Sequence, residues 1–158
     1  MNKVLLVLLS VLGMVACKSR NDHEVSVDQL PKPVQSFVSA YFPEESVRKV
    51  KLDKNKDGGM DYYVYMEKGA KLEFDRNGEW NEMKGRPYLP ENLVPADILA
   101  YVNTHFTGQK IRKITKLTKS PVERYRVVIS TGAELFFDQE HKFVRMREVV
   151  NYKQHGLE

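Results

Sequence analysis

Asp53, Asn55, Asp57 and Asp61 are the residues whose types and spacing come nearest to a chemistry in this 158-residue chain. Side-chain oxygens at alternating positions, followed by Gly58, open a loop of the kind that wraps a calcium ion. Asp61 would add a ninth-position oxygen. The twelfth position calls for a bidentate Glu and is Val64. The flanks read as strands, not as the helices that frame such loops. A solvated hairpin turn uses the same residue types for a different reason, since Asp, Asn and Gly all favour tight turns. The turn is the expectation, with no metal and no cofactor. His23, His105, His141 and His155 are scattered without ligand spacing. There is no nucleophile elbow, no HExxH and no glycine-rich phosphate loop. The acidic residues include no pair set in apolar surroundings to divide acid and base roles. A non-catalytic protein is expected.

The elements that would position any site are written twice. Tyr62–Met66 leads through Gly69-Ala70-Lys71-Leu72-Glu73-Phe74-Asp75 to Trp80. Tyr125–Ile129 leads through Gly132-Ala133-Glu134-Leu135-Phe136-Phe137-Asp138 to Phe143. At an offset of 63, residues 62 to 83 give 8 identities in 22 positions. Upstream, Pro31, Val34, Phe37, Val38, Tyr41 and Phe42 match Pro95, Ile98, Tyr101, Val102, His105 and Phe106 at an offset of 64. The second copy has Leu117 to Pro121 where the first has its acidic loop, and none of the candidate ligands recurs. Two copies of one unit fix an architecture. A unit of roughly 60 residues is marginal alone, so the two should share a core or a sheet.

Within a copy, Val34, Phe37, Val38 and Tyr41 lie on one helical stripe. Pro43 ends that helix. Pro95 starts the second one, as helices favour. His105 falls at the edge of the second stripe and is expected to be a partly buried structural residue. Alternating residues follow. Lys68-Gly69 and Thr131-Gly132 are hairpin dipeptides, and Asn77-Gly78 is a second turn. His141 takes the place of Gly78 and has to adopt a left-handed backbone. One strand face carries Tyr62, Val64, Met66, Leu72 and Phe74, with Tyr125, Val127, Ile129, Leu135 and Phe137 in the copy. That face should bury the helices. The opposite face carries Tyr63, Tyr65, Arg124, Arg126, Val128 and Phe136. Tyr, Arg and Phe are enriched where proteins meet proteins, so these six are the candidate partner-binding residues. A decorated, solvated sheet with cross-strand aromatic pairs is the alternative.

The remaining composition bounds the setting. The chain is 42% hydrophobic and 29% charged, which is ordinary for a globular protein. Val4 to Val15 is almost wholly apolar, too short to span a bilayer but suited to an export signal. Cys17, the single cysteine, follows at once. The arrangement resembles a bacterial lipoprotein signal, which implies lipidation of Cys17 and a membrane anchor, with acyl chains holding the protein stably. Residues 1–16 are then signal peptide and 17–29 a lipidated N-terminus and polar tether. Loss of residues 1–16 removes one lysine and no acid, taking the formal charge from +4 to +3. So weak a charge, without a Lys/Arg run, points away from nucleic acid.

Leu30-Pro31, Phe37-Val38, Tyr41-Phe42-Pro43, the tyrosine-rich strand and Gly69-x-x-Leu72-x-Phe74-Asp75-x-x-Gly78-x-Trp80 together resemble the PepSY-like family of putative beta-lactamase-inhibitor-like proteins. The resemblance runs from Leu30 to about Val149. The second copy departs from it at Thr107 and His141. It implies an α+β fold, with two tandem helix-plus-four-strand repeats (30–88 and 89–150) in one compact domain and a tail at 151–158. The repeats would form a continuous, curved antiparallel sheet with helices packed on one face. In the inhibitor behind the family's description, the concave sheet face grips an enzyme. The expectation is an exported cell-envelope protein, periplasmic or an outer-membrane lipoprotein (secreted if not lipidated). It would bind an exported protein, such as a peptidase or other hydrolase, through the exposed sheet face. Inhibition of a peptidase or beta-lactamase, and calcium-dependent sensing, are the alternatives.

Overall fold

A computed structural model describes residues 23–54 and 59–148. The proposed signal, Cys17, Asn55, Asp57 and residues 149–158 lie outside them. The element order is β1 (His23–Val25), α1 (Lys32–Tyr41), β2 (Val47–Lys54), β3 (Met60–Met66), β4 (Lys71–Phe74), β5 (Trp80–Lys84), α2 (Ala96–His105), β6 (Ile111–Lys116), β7 (Tyr125–Ile129), β8 (Glu134–Phe137) and β9 (Phe143–Arg147). The nine strands form one sheet in sequence order, and every neighbour pair is antiparallel. Each helix is followed by four strands. The fold is α+β, a meander interrupted by two helices.

The helices start and stop where the chain forces them to. Pro31 and Pro95 stand at the N-caps with φ of −52° and −50°. A ring-locked φ suits a helix start. At the other end the Phe42 and Phe106 amides donate to the Val38 and Val102 carbonyls at 2.9 and 2.8 Å, closing the last turn. Val34, Val38, Ile98 and Val102 are buried, and Phe37 and Tyr101 pack beside them against the sheet. The outer ends of both stripes depart from expectation. Tyr41 is 40% exposed, stacked on Phe37 with ring centroids 4.5 Å apart. His105 is exposed rather than partly buried, with its ring 4.3 Å from that of Tyr101. A ten-residue helix on a twisted sheet buries its middle and lets its last turn overhang.

The register aligns one apolar row through the whole sheet. Val25, Val50, Val64, Leu72 and Met83 are successive cross-strand partners, continued by Ile114, Val127, Leu135 and Met146. Val50 through Leu135 are fully buried. Each such side chain stabilises the fold by about 1.5–3 kcal/mol. All ten residues assigned to the inner face are in this core or packed against it. The row ends at Met146, 42% exposed on the edge strand β9. The pairs Glu82↔Thr115, Met83↔Ile114 and Lys84↔Lys113 join β5 to β6, so the sheet passes between the halves without a break.

Two features were not expected. His23–Val25, inside the segment read as a tether, pairs with β2 as an edge strand, and Leu30 is buried in the core. The connection before α2 also contributes Leu89, Leu93 and Val94 to the core. It is anchored by the Gly85 and Leu89 amides, which donate to the Arg112 and Ile111 carbonyls at 2.9 and 2.8 Å. The turns follow their residue types. Gly69, Gly78 and Gly132 have positive φ, and His141 takes the left-handed conformation at φ 62°. Asp75 and Asp138 hold the two equivalent turns, each accepting two backbone N–H bonds through Oδ1 at 2.8–3.0 Å.

Candidate functional site

The face opposite the core is built from the alternate residues of the same strands. Its central row runs Glu24, Lys51, Tyr63, Glu73 and Glu82 across β1–β5. It continues through Thr115, Arg126, Phe136 and Arg145 on β6–β9. The adjacent row runs Lys49, Tyr65, Lys71, Lys84 and Lys113, then Val128, Glu134 and Arg147. The candidates Tyr63, Tyr65, Arg126, Val128 and Phe136 are therefore brought onto one face, spread over two neighbouring rows. Arg124 lies just before β7, its amide donating to the Phe137 carbonyl at 2.8 Å.

The two halves of this face differ in chemistry. In the second half three arginines are drawn to two glutamates. Arg145 makes a two-point contact with Glu123, Nε to Oε1 at 2.5 Å and Nη2 to Oε2 at 3.1 Å. Arg147 pairs with Glu134, and Arg126 lies 3.9 Å from the same carboxylate. The Arg145 guanidinium sits 3.8 Å from the Phe136 ring centre, with Arg147 at 5.7 Å. Phe136 is consequently only 4% exposed, which corrects its expected role as an exposed contact. Two arginines from β9 cover it, and their positions follow from the strand register, not from the local sequence around Phe136. The Arg126 Nε is buried without a hydrogen-bond partner among the described residues.

The first half is open. Tyr63 and Tyr65 are half-buried, and the Lys71 ammonium lies 4.3 Å from the Tyr63 ring centre and 5.9 Å from that of Tyr65. Such a contact holds a cation without neutralising it. Burial, reinforced by the Glu73, Asp61 and Asp53 carboxylates, pushes the Tyr63 phenol up to about 12. Tyr63 stays a neutral hydroxyl at any physiological pH. Burial, with Glu82 and Asp61 nearby, pushes the Glu73 carboxyl above its ordinary range despite the pull of Lys71. Glu82 is satisfied, accepting from Lys113 Nζ at 3.3 Å and Thr115 Oγ1 at 3.1 Å. A groove of about 520 Å³ opens beside these residues, lined by Arg48, Tyr65, Glu67, Lys71, Lys84 and Arg86.

The calcium-loop residues are divided by what is described. Asp53 and Asp61 are cross-strand partners where β2 and β3 enter their connecting loop, and the flanks are strands, as expected. Among the described residues no cluster of three or more His, Cys, Asp or Glu side chains could hold a metal ion. Arg48, Lys84 and Arg86, which line the groove, were missed by sequence reasoning. Arg48 stands far from Lys84 and Arg86 in the chain, and only the fold brings it beside them.

A meander of nine strands with two helices on one face, and among the described residues a polar, aromatic face on the other, defines an α+β protein. The family model described as "putative beta-lactamase-inhibitor-like, PepSY-like" matches residues 14–58 and 60–145, and the chain belongs to that family. Among solved structures it is similar to a putative periplasmic protein from Bacteroides vulgatus, with 29% identity and a TM-score of 0.68 over 82% of this chain and 99% of that one. It is also similar to a putative calcium-regulated periplasmic protein from Bacteroides thetaiotaomicron, with 28% identity and a TM-score of 0.72 over 80% and 97%. A further Bacteroides vulgatus periplasmic protein of unknown function is 26% identical with a TM-score of 0.70, over 80% and 99%. No curated protein matches.

Proposed function

We propose that this is an exported, lipid-anchored protein of the cell envelope that binds another exported protein through the sheet face opposite its helices, without catalysis. We read its two helix-plus-four-strand halves as copies of one unit. The observation that carries the reading is the open first half of that face. Tyr63, Tyr65 and Lys71 form an aromatic and cationic patch on a rigid sheet, whereas the equivalent part of the second half is closed by its own arginine–glutamate pairs. Rigid tyrosines give contact area at low entropic cost, which suits a binding surface. The periplasmic description of the solved relatives supports export, and Cys17 after the apolar segment supports lipidation. The family's inhibitor-like description makes an exported peptidase or other hydrolase the first partner to try. The test compares proteins retained from envelope extracts by the wild type and by Tyr63→Ala/Tyr65→Ala. Loss of specific partners from the variant is expected. Identical recovery by both removes this face as the site.

One observation favours a second reading. A relative 28% identical carries the description calcium-regulated, and Asp53 and Asp61 face each other at the mouth of the β2–β3 loop. Calcium bound there would stiffen the end of the same face. Titration calorimetry with millimolar calcium, giving neither heat nor a thermal shift, ends this reading.

A further inference from the structure

We propose that the groove beside Tyr65 takes an acidic, extended segment of a partner protein. The inference rests on the reading of this face as a protein-binding surface and narrows it to one chemistry. Lys71 faces Lys84, and Lys84 faces Lys113, in directly opposed cross-strand positions. Like charges so placed destabilise a sheet. Glu82 offsets Lys113 at 3.3 Å. Lys71 lies over the Tyr63 and Tyr65 rings and makes no ion pair with any described residue, its one acidic neighbour being Glu73, which burial pushes toward the neutral form. Lys84, Arg48 and Arg86 have no ion pair with any described residue, and they line the same groove of about 520 Å³. Its two acids do not cancel them, because Glu82 is already held by Lys113 and Thr115, leaving Glu67 on the exposed rim.

The unmet charge in this groove is therefore positive. The row from Tyr65 to Lys113 spans three strand spacings, roughly 14 Å, the reach of about four extended residues. Carboxylates laid along it would replace lysine–lysine repulsion with ion pairs. Tyr65 would supply an aromatic floor. A flat phospholipid surface fits less well, because Lys71 and Lys84 are half-buried within a groove.

The probe is fluorescein-labelled octaglutamate at low salt, read by anisotropy, with octaglutamine as the uncharged control. The proposal expects the wild type to bind octaglutamate alone, and binding to weaken about tenfold or more at physiological salt. It expects Lys71→Glu/Lys84→Glu to weaken binding by at least about tenfold, and the charge-matched Lys119→Glu/Lys142→Glu to leave it unchanged. Should the reversal variant lose its melting transition, Lys84→Gln/Arg86→Gln is read in its place. Equal loss in both reversal variants would show a net-charge effect and overturn the proposal. So would octaglutamine binding, or binding to phosphatidylglycerol vesicles without octaglutamate binding. If Tyr63→Ala/Tyr65→Ala loses envelope partners while Lys71→Glu/Lys84→Glu keeps both partners and octaglutamate, the face reading stands and this inference falls.

Discussion

Phe74 and Phe137 stand at matching places, opposite Tyr62 and Tyr125, and both are fully buried. Phe74 meets Phe37 of α1 edge-on at 5.3 Å, and Phe137 meets Tyr101 of α2 edge-on at 5.5 Å. Truncation removes the ring that joins each helix to the sheet. Phe74→Ala or Phe137→Ala is expected to cost about 3–5 kcal/mol, read from denaturant melts. An unchanged midpoint for either would contradict the face assignment. Both rings were legible in the sequence because alternation alone puts them inward. Phe136 was not, because its cover comes from Arg145 and Arg147 of another strand. Glu73 carries a pH prediction. Its carboxyl is raised above the ordinary 4.5 by burial first. A raised acid favours folding when protonated, so its contribution is full below 4.5 and is lost as pH rises through the folded value. Glu73→Gln should therefore melt higher than wild type at neutral pH, with the gap closing on acidification below 4.5. A variant that melts lower than wild type at neutral pH would contradict this.

The helices and hairpins were legible because each has a strong local signal: a stripe of apolar residues, a proline at the start, a glycine in the turn. β1 was not, because three residues inside a polar segment carry no period, and only pairing with β2 makes them a strand. The connection from β5 to α2 was equally silent, and it holds the least tolerant of the described glycines. A Cβ on Gly85 would lie 1.9 Å from the Tyr88 carbonyl oxygen and 2.2 Å from the Leu89 nitrogen. Both are backbone atoms of the same connection, so no side chain can swing away. Gly85→Ala is expected to cost about 1–3 kcal/mol in a thermal or denaturant melt, since overpacking forces backbone shifts. The same change at Gly108, whose Cβ would meet nothing within 4 Å, is strained only by its φ of 78°. A Gly85→Ala protein as stable as wild type would mean that this connection follows another path.

At the scale of the molecule, one sheet separates two chemistries. The inner row is apolar from Val25 to Met146, and the cores of the two halves are one cluster. The outer rows are charged: Arg145 and Arg147 are paired in the second half, whereas Lys71 and Lys84 stand opposite each other in the first without an ion pair to any described residue. The sequence made the division into faces readable. It could not show which half of the outer face is free, because that depends on partners from different strands: Glu123 with Arg145, Glu134 with Arg147, and Lys71 opposite Lys84. The central claim is that the open part of this face meets a protein in the envelope. The most direct measurement places a photo-crosslinking amino acid at Tyr65 on that face, or at the exposed Tyr41 on the helix side, and irradiates intact cells. The account predicts a discrete protein adduct from position 65 and none from position 41. Adducts from 41 alone, or no adduct from 65, would contradict it.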